Sequence, residues 1–309
     1  MYKTILFSLF FLSCLYAVEP IAPLPQDLNG IDLKKAKLGR TLFYDTILSS
    51  DQSVSCHSCH DFEHGGADPR KVSIGVKTRK GTIQSPTVYN SRYNFKQFWN
   101  GRAADLQEQI NGPLTAHFEM DMSPPKIEMR INQSDFYRQK FAEVYGEKKI
   151  TYEKIIDAII EFEKALITPN SRFDQYLRGE IALTPEEKRG YAKFKSLGCI
   201  TCHNGINIGS NTFQKMGLFR EYPHDPKYQD RFAVTQKKYH KNVYKVPTLR
   251  NITLTAPYFH NGKAKDLDEA IYTMGYYNLG VKISKEDIAL LKHFLKTLEG
   301  ERPAILDMP

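Results

Sequence analysis

Beyond residue 17 no run of residues is apolar enough to cross a bilayer, and the mean hydropathy is −0.47. A polytopic membrane protein is therefore excluded. Basic residues do not gather into a block of the kind that marks a nucleic-acid arm. The 43 Lys and Arg outnumber the 35 Asp and Glu for a formal charge of +8, but the excess is spread along the chain. Glycine (19) and proline (16) are near average usage, which excludes collagen-like and low-complexity readings. No sustained alternation of polar and apolar residues announces a large sheet. Tryptophan occurs once and cysteine five times in 309 residues. Four of those cysteines fall in two identical spacings, and the fifth, Cys14, lies in a leader. The length suits two ordinary domains or one large one.

Met1 to Ala17 reads as a secretory signal. Lys3 gives a positive start, Ile5 to Leu15 an apolar core, and Ala17 a small residue at a plausible cleavage point. An uncleaved anchor is the alternative, and a lipoprotein Cys14 a weaker one, because Phe11-Leu12-Ser13 is a poor lead-in. Cleavage predicts an exported chain with no stable membrane insertion.

Cys56-His57-Ser58-Cys59-His60 and Cys199-Ile200-Thr201-Cys202-His203 are both C-x-x-C-H. Two thiols three positions apart share one turn of chain and can add to the two vinyl groups of haem, and the next His reaches the iron. An exported chain suits such attachment. Paired disulfides, or one zinc site made by four thiolates, would leave the following His unexplained in both strings. Two covalently bound c-type haems are expected, with His57 and His64 as ordinary polar residues.

The halves repeat beyond these motifs. Gly39-Arg40-Thr41-Leu42-Phe43 and Gly190-Tyr191-Ala192-Lys193-Phe194 both read G-x-x-x-F on a helix. Ser85-Pro86-Thr87-Val88-Tyr89-Asn90 matches Val246-Pro247-Thr248-Leu249-Arg250-Asn251, and the block from Asn100 to Glu108 matches that from Asn261 to Glu269, both offset by 161 positions. The expected architecture is all-α: two cytochrome c-like haem domains related by internal duplication, 18–168 and 169–309, with long loops at 61–98 and 204–257. A helix is predicted over Thr151–Thr168, with Ile155, Ile159, Phe162 and Leu166 on one face. Thr184-Pro185-Glu186-Glu187 is a capping box opening the helix before the second haem motif. Ser284 caps a last helix with Ile288, Leu291, Leu295 and Leu298 inward and Gly300 just past its end.

The halves differ where their chemistry would differ. Met274 follows the second Asn-Gly block and offers a thioether to the second iron, a pairing that raises the potential and suits electron transfer. Met216 is its main rival; His293, His224 and His240 are weaker ones. In the first half the corresponding segment is longer and holds Gln109, His117, Glu119 and Met120. Glu119 between Phe118 and Met120 reads either as a solvated loop carboxylate or as a general acid–base above an open iron. In the second role it takes the proton from the inner oxygen of bound peroxide and returns it to the outer one. Gln109 can hold that carboxylate or the peroxide. Trp99, after Phe98, reads as packing or as a bridge at a haem edge.

Taken together, Leu38 to Asp45, Ser55 to His60, Gly65-Gly66-Ala67-Asp68, Phe98 to Arg102, Glu119-Met120 and Thr255 to Gly262 resemble the bacterial di-haem cytochrome c peroxidases across nearly the whole mature chain. The resemblance implies a periplasmic enzyme that reduces hydrogen peroxide to water with electrons from a small cytochrome c. It implies a low-potential peroxidatic first haem and a high-potential second haem where electrons enter. Glu119 and Gln109 become the catalytic pair, Trp99 lies between the haems, and Met274 is the distal ligand of the second iron. A calcium ion between the domains and a homodimer are implied too. Calcium would be held by Gln84, where the family often has Asn, with the carbonyls of Thr255 and Pro257. A second departure is Val76 after Ser73-Ile74-Gly75, where well-known members carry an iron-binding His. Two rivals remain. One is a related di-haem enzyme that oxidises a protein side chain, which resembles this family but has Tyr where Met274 stands. The other is a non-enzymatic di-haem carrier, in which Glu119 would have no purpose.

Overall fold

The computed structural model describes residues 19–147 and 149–309. The leader Met1–Ala17 and Cys14 lie outside the described residues. The first half holds α1 (Leu33–Tyr44), α2 (Leu106–Gln109), α3 (Asn111–Thr115), α4 (Pro124–Gln133), α5 (Asp135–Tyr145) and α6 (Tyr152–Ala165). The second holds α7 (Arg172–Leu177), α8 (Pro185–Ser196), α9 (Arg231–Thr235), α10 (Leu267–Thr273) and α11 (Lys285–Lys296). The sheet described is a single antiparallel pair, β1 (Phe213–Lys215) with β2 (Val243–Lys245), so the fold is helical with little sheet. Among the described residues no helix is long and apolar enough to cross a membrane.

Each half is organised by one helix pair crossing at a glycine. On α1, a Cβ at Gly39 would fall 1.9 Å from the Ala158 carbonyl oxygen and 2.9 Å from the Phe162 Cβ of α6. On α8, a Cβ at Gly190 would fall 2.1 Å from the Leu290 carbonyl oxygen and 3.0 Å from the Phe294 Cβ of α11. The G-x-x-x-F strings thus let the backbones touch. Phe43 then packs edge-on to Phe162 at 5.2 Å, and Phe194 against Phe294 at 4.9 Å. Around these pairs lie two buried apolar clusters, one on Leu42, Ile155 and Ile159, the other on Phe173, Tyr191 and Leu291.

Local geometry also recurs at the 161-residue offset. The bridge between Gln97 and Ala103 has its counterpart between Tyr258 and Ala264. Asn90 and Asn251 both sit at φ 59°, and Phe98 and Phe259 at φ 66° and 69°. Asp105 and Asp266 cap α2 and α10 through the amides of Glu108 and Glu269.

The halves meet at Thr168, whose hydroxyl accepts from the side chains of Asn90 and Asn251, both at 2.8 Å. That role corrects the predicted helix over Thr151–Thr168. Helix α6 ends at Ala165 because the Thr168 amide donates to the Asn90 side chain instead of continuing the helix. Gly300 lies past the end of α11 as the sequence indicates, and it serves the junction: its amide donates to the Asn251 side chain, and a Cβ there would strike the Thr168 carbonyl at 2.0 Å. The capping box at Thr184 and the cap at Ser284 form as the sequence indicates. A buried pair completes the second half. Arg250 donates to both oxygens of Asp174 at 3.0 and 2.9 Å and to the Ala22 carbonyl, while Asp174 also accepts from the Leu24 amide. The extended N-terminal segment is pinned to that half.

Candidate haem-binding and active site

Both C-x-x-C-H strings fold as the same tight turn. The His60 amide donates to the Cys56 carbonyl at 3.0 Å, and the His203 amide to the Cys199 carbonyl at 3.0 Å. All four of these thiols are free, and among the described residues no three or more His, Cys, Asp or Glu gather into a cluster. Burial holds Cys56 as a neutral thiol and pushes Cys199 up to about 11.

The two His rings open on one continuous cavity of about 700 Å³ that runs through both halves. His60 Nδ1 faces the Gly66 carbonyl at 3.3 Å. His203 Nδ1 is buried without a hydrogen-bond partner of good geometry, beside the carbonyls of Ile208 and Pro247. An imidazole whose Nδ1 is turned to backbone oxygen keeps Nε2 for a metal. Gly209 shapes this place: a Cβ there would fall 2.2 Å from the Pro247 oxygen and 3.4 Å from His203 Nδ1. Burial lowers the pKa of both rings, His203 to about 4, so both are neutral and able to ligate. The residues present fit two covalently held haems.

On the first side, Gln109 and Glu119 line the cavity with His60. Glu119 is half-buried, and loss of water raises its carboxyl above the ordinary range against the opposing pull of Arg102. Arg102 lies over the Phe98 ring at 3.3 Å, with its own pKa lowered by burial. A freely solvated loop carboxylate is not what Glu119 is. Its backbone is clamped: the Val76 amide donates to the Glu119 carbonyl at 2.9 Å, and a Cβ at Gly75 would fall 2.2 Å from the Phe118 oxygen. His117 is exposed and bound by Arg79, and Met120 is buried in the apolar cluster of the first half.

From the second half, Met274 and Met216 both line the cavity, and they share a small apolar cluster with Phe259, Tyr277 and Trp99. Met274 opens a π-helical turn, Met274–Leu279, a local widening frequent at functional sites. The other rivals point elsewhere: His293 is exposed, His224 bonds Asp230, and His240 bonds the Thr235 hydroxyl.

Trp99 stands at the seam. Its Nε1 donates to the Gln84 carbonyl at 2.8 Å, and its ring meets His260 edge-on at 6.2 Å. His260 holds the position offset by 161 from Trp99, as Lys245 does from Gln84. The backbone exchange is reciprocal: the Gln84 amide donates to the His260 carbonyl at 2.9 Å, and the Lys245 amide to the Trp99 carbonyl at 2.7 Å. Sequence reasoning missed His260, which stacks on Tyr244 at 4.0 Å and is held neutral by burial. It also missed Lys245, buried and pushed down to about 8. The repeat offset was the signal that could have found both. Gln84, Thr255 and Pro257 line the same cavity as Trp99, and Gln84 is buried.

Two C-x-x-C-H turns opening on one cavity, in a helical fold with little sheet, define a c-type di-haem protein. The family model described as di-haem cytochrome c peroxidase matches residues 33–182. The chain is 42% identical over 288 residues to cytochrome c551 peroxidase of Nitrosomonas europaea, covering 93% of this chain and 86% of that one. It is 43% identical to cytochrome c peroxidase Ccp of Escherichia coli, covering 91% of this chain and 61% of that one. A crystal structure of a MauG-like protein associated with microbial copper homeostasis superposes with a TM-score of 0.80 at 30% identity, covering 94% and 95% of the two chains. The chain belongs to the di-haem cytochrome c peroxidase family. Its activity is that family's: hydrogen peroxide is reduced with electrons from a cytochrome.

Proposed function

We propose that the chain is a duplicated pair of haem domains. Residues 18–168 form the peroxidatic domain, and 169–309 receive electrons from a small cytochrome c. The recurring glycine crossings, caps and bridges support the duplication. Cys56, Cys59 and His60 hold the first haem, and Cys199, Cys202, His203 and Met274 the second. Bound there, haem would supply the redox chemistry for reducing peroxide. The chain's own residues move the protons. The Glu119 carboxylate accepts the proton of the inner peroxide oxygen and returns it to the outer one, which leaves as water. Gln109 orients that carboxylate or the peroxide by hydrogen bonding. Arg102 favours the ionised form of Glu119, while burial keeps it basic enough to accept. Trp99, between the two parts of the cavity, carries electrons from the second half to the first.

The observation that carries this reading is the asymmetry of one cavity. The first half contributes a carboxylate and an amide to the lining, Glu119 and Gln109, whereas the second half contributes two thioethers, Met216 and Met274. That favours an enzyme over a symmetric carrier. Calcium bound by the Gln84 side chain and the carbonyls of Thr255 and Pro257 fits this seam, since all three are hard oxygen donors. Export to the periplasm, leader cleavage after Ala17 and a homodimer complete the proposal. The test is steady-state oxidation of a reduced small cytochrome c with and without peroxide. Peroxide-dependent oxidation at two cytochromes per peroxide supports it. Oxidation unaffected by peroxide leaves only the carrier.

A further inference from the structure

One carboxylate in this cavity has no part in the scheme above. Glu163 lies on α6, one position beyond Phe162, and is 7% exposed. Its Oε2 is buried without a hydrogen-bond partner, and it lines the cavity. It belongs to the first haem's side, because α6 packs on α1 and the buried Cys56 thiol feels the Glu163 charge.

The second half shows what this place needs when only a haem is to be covered. Gly39 meets Ala158 and Phe162, and Gly190 meets Leu290 and Phe294, so the two crossings are in register. The residue after Phe294 is Leu295, buried and lining the cavity on its own side. An apolar residue therefore fits the position, and the first half carries an acid instead. A buried carboxylate without a partner is costly in its charged form, so it calls for a use.

We propose that Glu163 is the redox-linked proton acceptor of the first haem, taking up one proton when that haem gains an electron and releasing it on reoxidation. The step balances. The cytochrome donor supplies the electron, solvent supplies the proton, and the ferric haem with carboxylate becomes ferrous haem with carboxylic acid. The cavity's net charge does not change. The physical cause is Coulombic: added negative charge in a low-dielectric site disfavours a second negative charge nearby.

The surroundings leave Glu163 free to respond. Burial alone lifts its carboxyl to about 7. Cations on the elements packed against α6 are engaged elsewhere: Lys35 with Asp157, Arg40 with the carbonyls of Ile305 and Met308, and Arg130 with those of Ile47 and Ser49. Arg92 lies over the Tyr93 ring, Arg138 pairs with Asp135 and Lys140 with Glu143. Lys34 and Lys37 on α1 point to solvent or lie at its margin, Lys126 on α4 is exposed, Glu128 of α4 accepts from the Tyr152 amide, and Glu108 of α2 bonds the Ala104 amide. Cys56 becomes a thioether on haem attachment and no longer titrates. Glu119 is the other carboxylate in the same part of the cavity and serves as the control.

The inference rests on the first haem being the one bound at Cys56, Cys59 and His60. The test is spectroelectrochemical titration of both haems in the holoprotein between pH 6 and about pH 9, with redox-difference infrared spectroscopy. In the wild type the first haem's potential should fall with pH above about 7, by up to about 59 mV per tenfold change in proton activity. A carboxylic-acid carbonyl band should appear as that haem is reduced. Glu163→Gln should lose both the band and its share of the slope while the second haem is unmoved, and Glu119→Gln should keep the Glu163 band. A slope and band that persist in Glu163→Gln overturn the proposal. If Glu163→Gln fails to take up haem, the wild type still decides: a pH-independent first potential with no carboxylic-acid band overturns it equally. A sample with no haem at the first motif would instead defeat the site assignment.

Discussion

Replacing Glu119 by Gln keeps the side chain's size and removes its capacity to accept a proton. Glu119 lines the cavity with His60 and Gln109, half-buried, with its carboxyl raised by desolvation and Arg102 pulling the other way. General acid–base transfer contributes roughly a hundredfold to ten-thousandfold, about 2.7 to 5.4 kcal/mol of barrier. Peroxide turnover should fall by at least the lower figure. Folding should not suffer, because a neutral amide is cheaper to half-bury than a carboxylate. The pH profile follows from the same shift. The base must be ionised to accept, so kcat/KM falls as pH drops through its pKa. That pKa is raised, which puts the acid limb above the ordinary glutamate range. In Glu119→Gln the limb due to this group disappears. The assay is steady-state oxidation of a reduced cytochrome at saturating and limiting peroxide, with both haem spectra recorded. Near-native turnover with intact spectra would refute the role, as would an unchanged acid limb.

Met274→His should keep the second haem low-spin and lower its potential, since imidazole stabilises the ferric state more than a thioether does; a potential moved only by substituting Met216 would transfer the ligand role to that residue. Arg250→Met strands the Asp174 carboxylate, which is fully buried, and should cost about 3–5 kcal/mol in denaturant unfolding. The double variant with Asp174→Leu should recover much of that loss, and a single-variant cost below about 1 kcal/mol would contradict the buried-pair reading. Trp99→Phe should slow electron passage between the haems in stopped-flow work while both potentials hold; an unchanged rate would assign the path elsewhere.

The sequence made the haem turns, the repeat and the helix caps readable because each is written in a few neighbouring residues. Thr184 and Ser284 bond amides three positions on, so their caps follow from local spacing. The place of Thr168 outside α6, and the use of Gly300 at the junction, were not legible for the opposite reason. Their backbone amides are claimed by Asn90 and Asn251, 78 and 49 residues away. Glu163 was hidden in plain view. On the predicted helix it looked like one more polar position beside the apolar stripe, and only the packing of α6 on α1, along the cavity, buries it. His260 passed as a neighbour of the Asn-Gly block until the seam set it against Trp99. The choice between Met274 and Met216 is not a matter of spacing at all, because both residues line one cavity, Met274 from the π-helical turn after α10 and Met216 from the segment after β1.

Val76 brings these levels together in one expectation. A His after the Ser-Ile-Gly string would offer the first iron a sixth ligand in the resting enzyme. Val76 has no lone pair, and it is fully buried with its amide donating to the Glu119 carbonyl. Its loop is held further by the Lys77 amide on Asp51, and by Arg79 on Asp121 and on the His117 carbonyl. The loop that would carry a blocking ligand thus braces the Glu119 backbone instead. Substitutes are engaged as well: His64 pairs with Asp61, His117 with Arg79 and Asp121, and Met120 lies in the apolar cluster. The diferric enzyme is therefore expected to react with peroxide without prior reduction. Electron paramagnetic resonance should show one high-spin and one low-spin ferric haem, and stopped-flow mixing should show no lag. Val76→His tests the same point in reverse, but it must first break the contacts with Glu119, so slower turnover alone is not diagnostic. Two low-spin signals in the wild type, with a reaction that waits for one electron, would mean that another side chain closes the first iron.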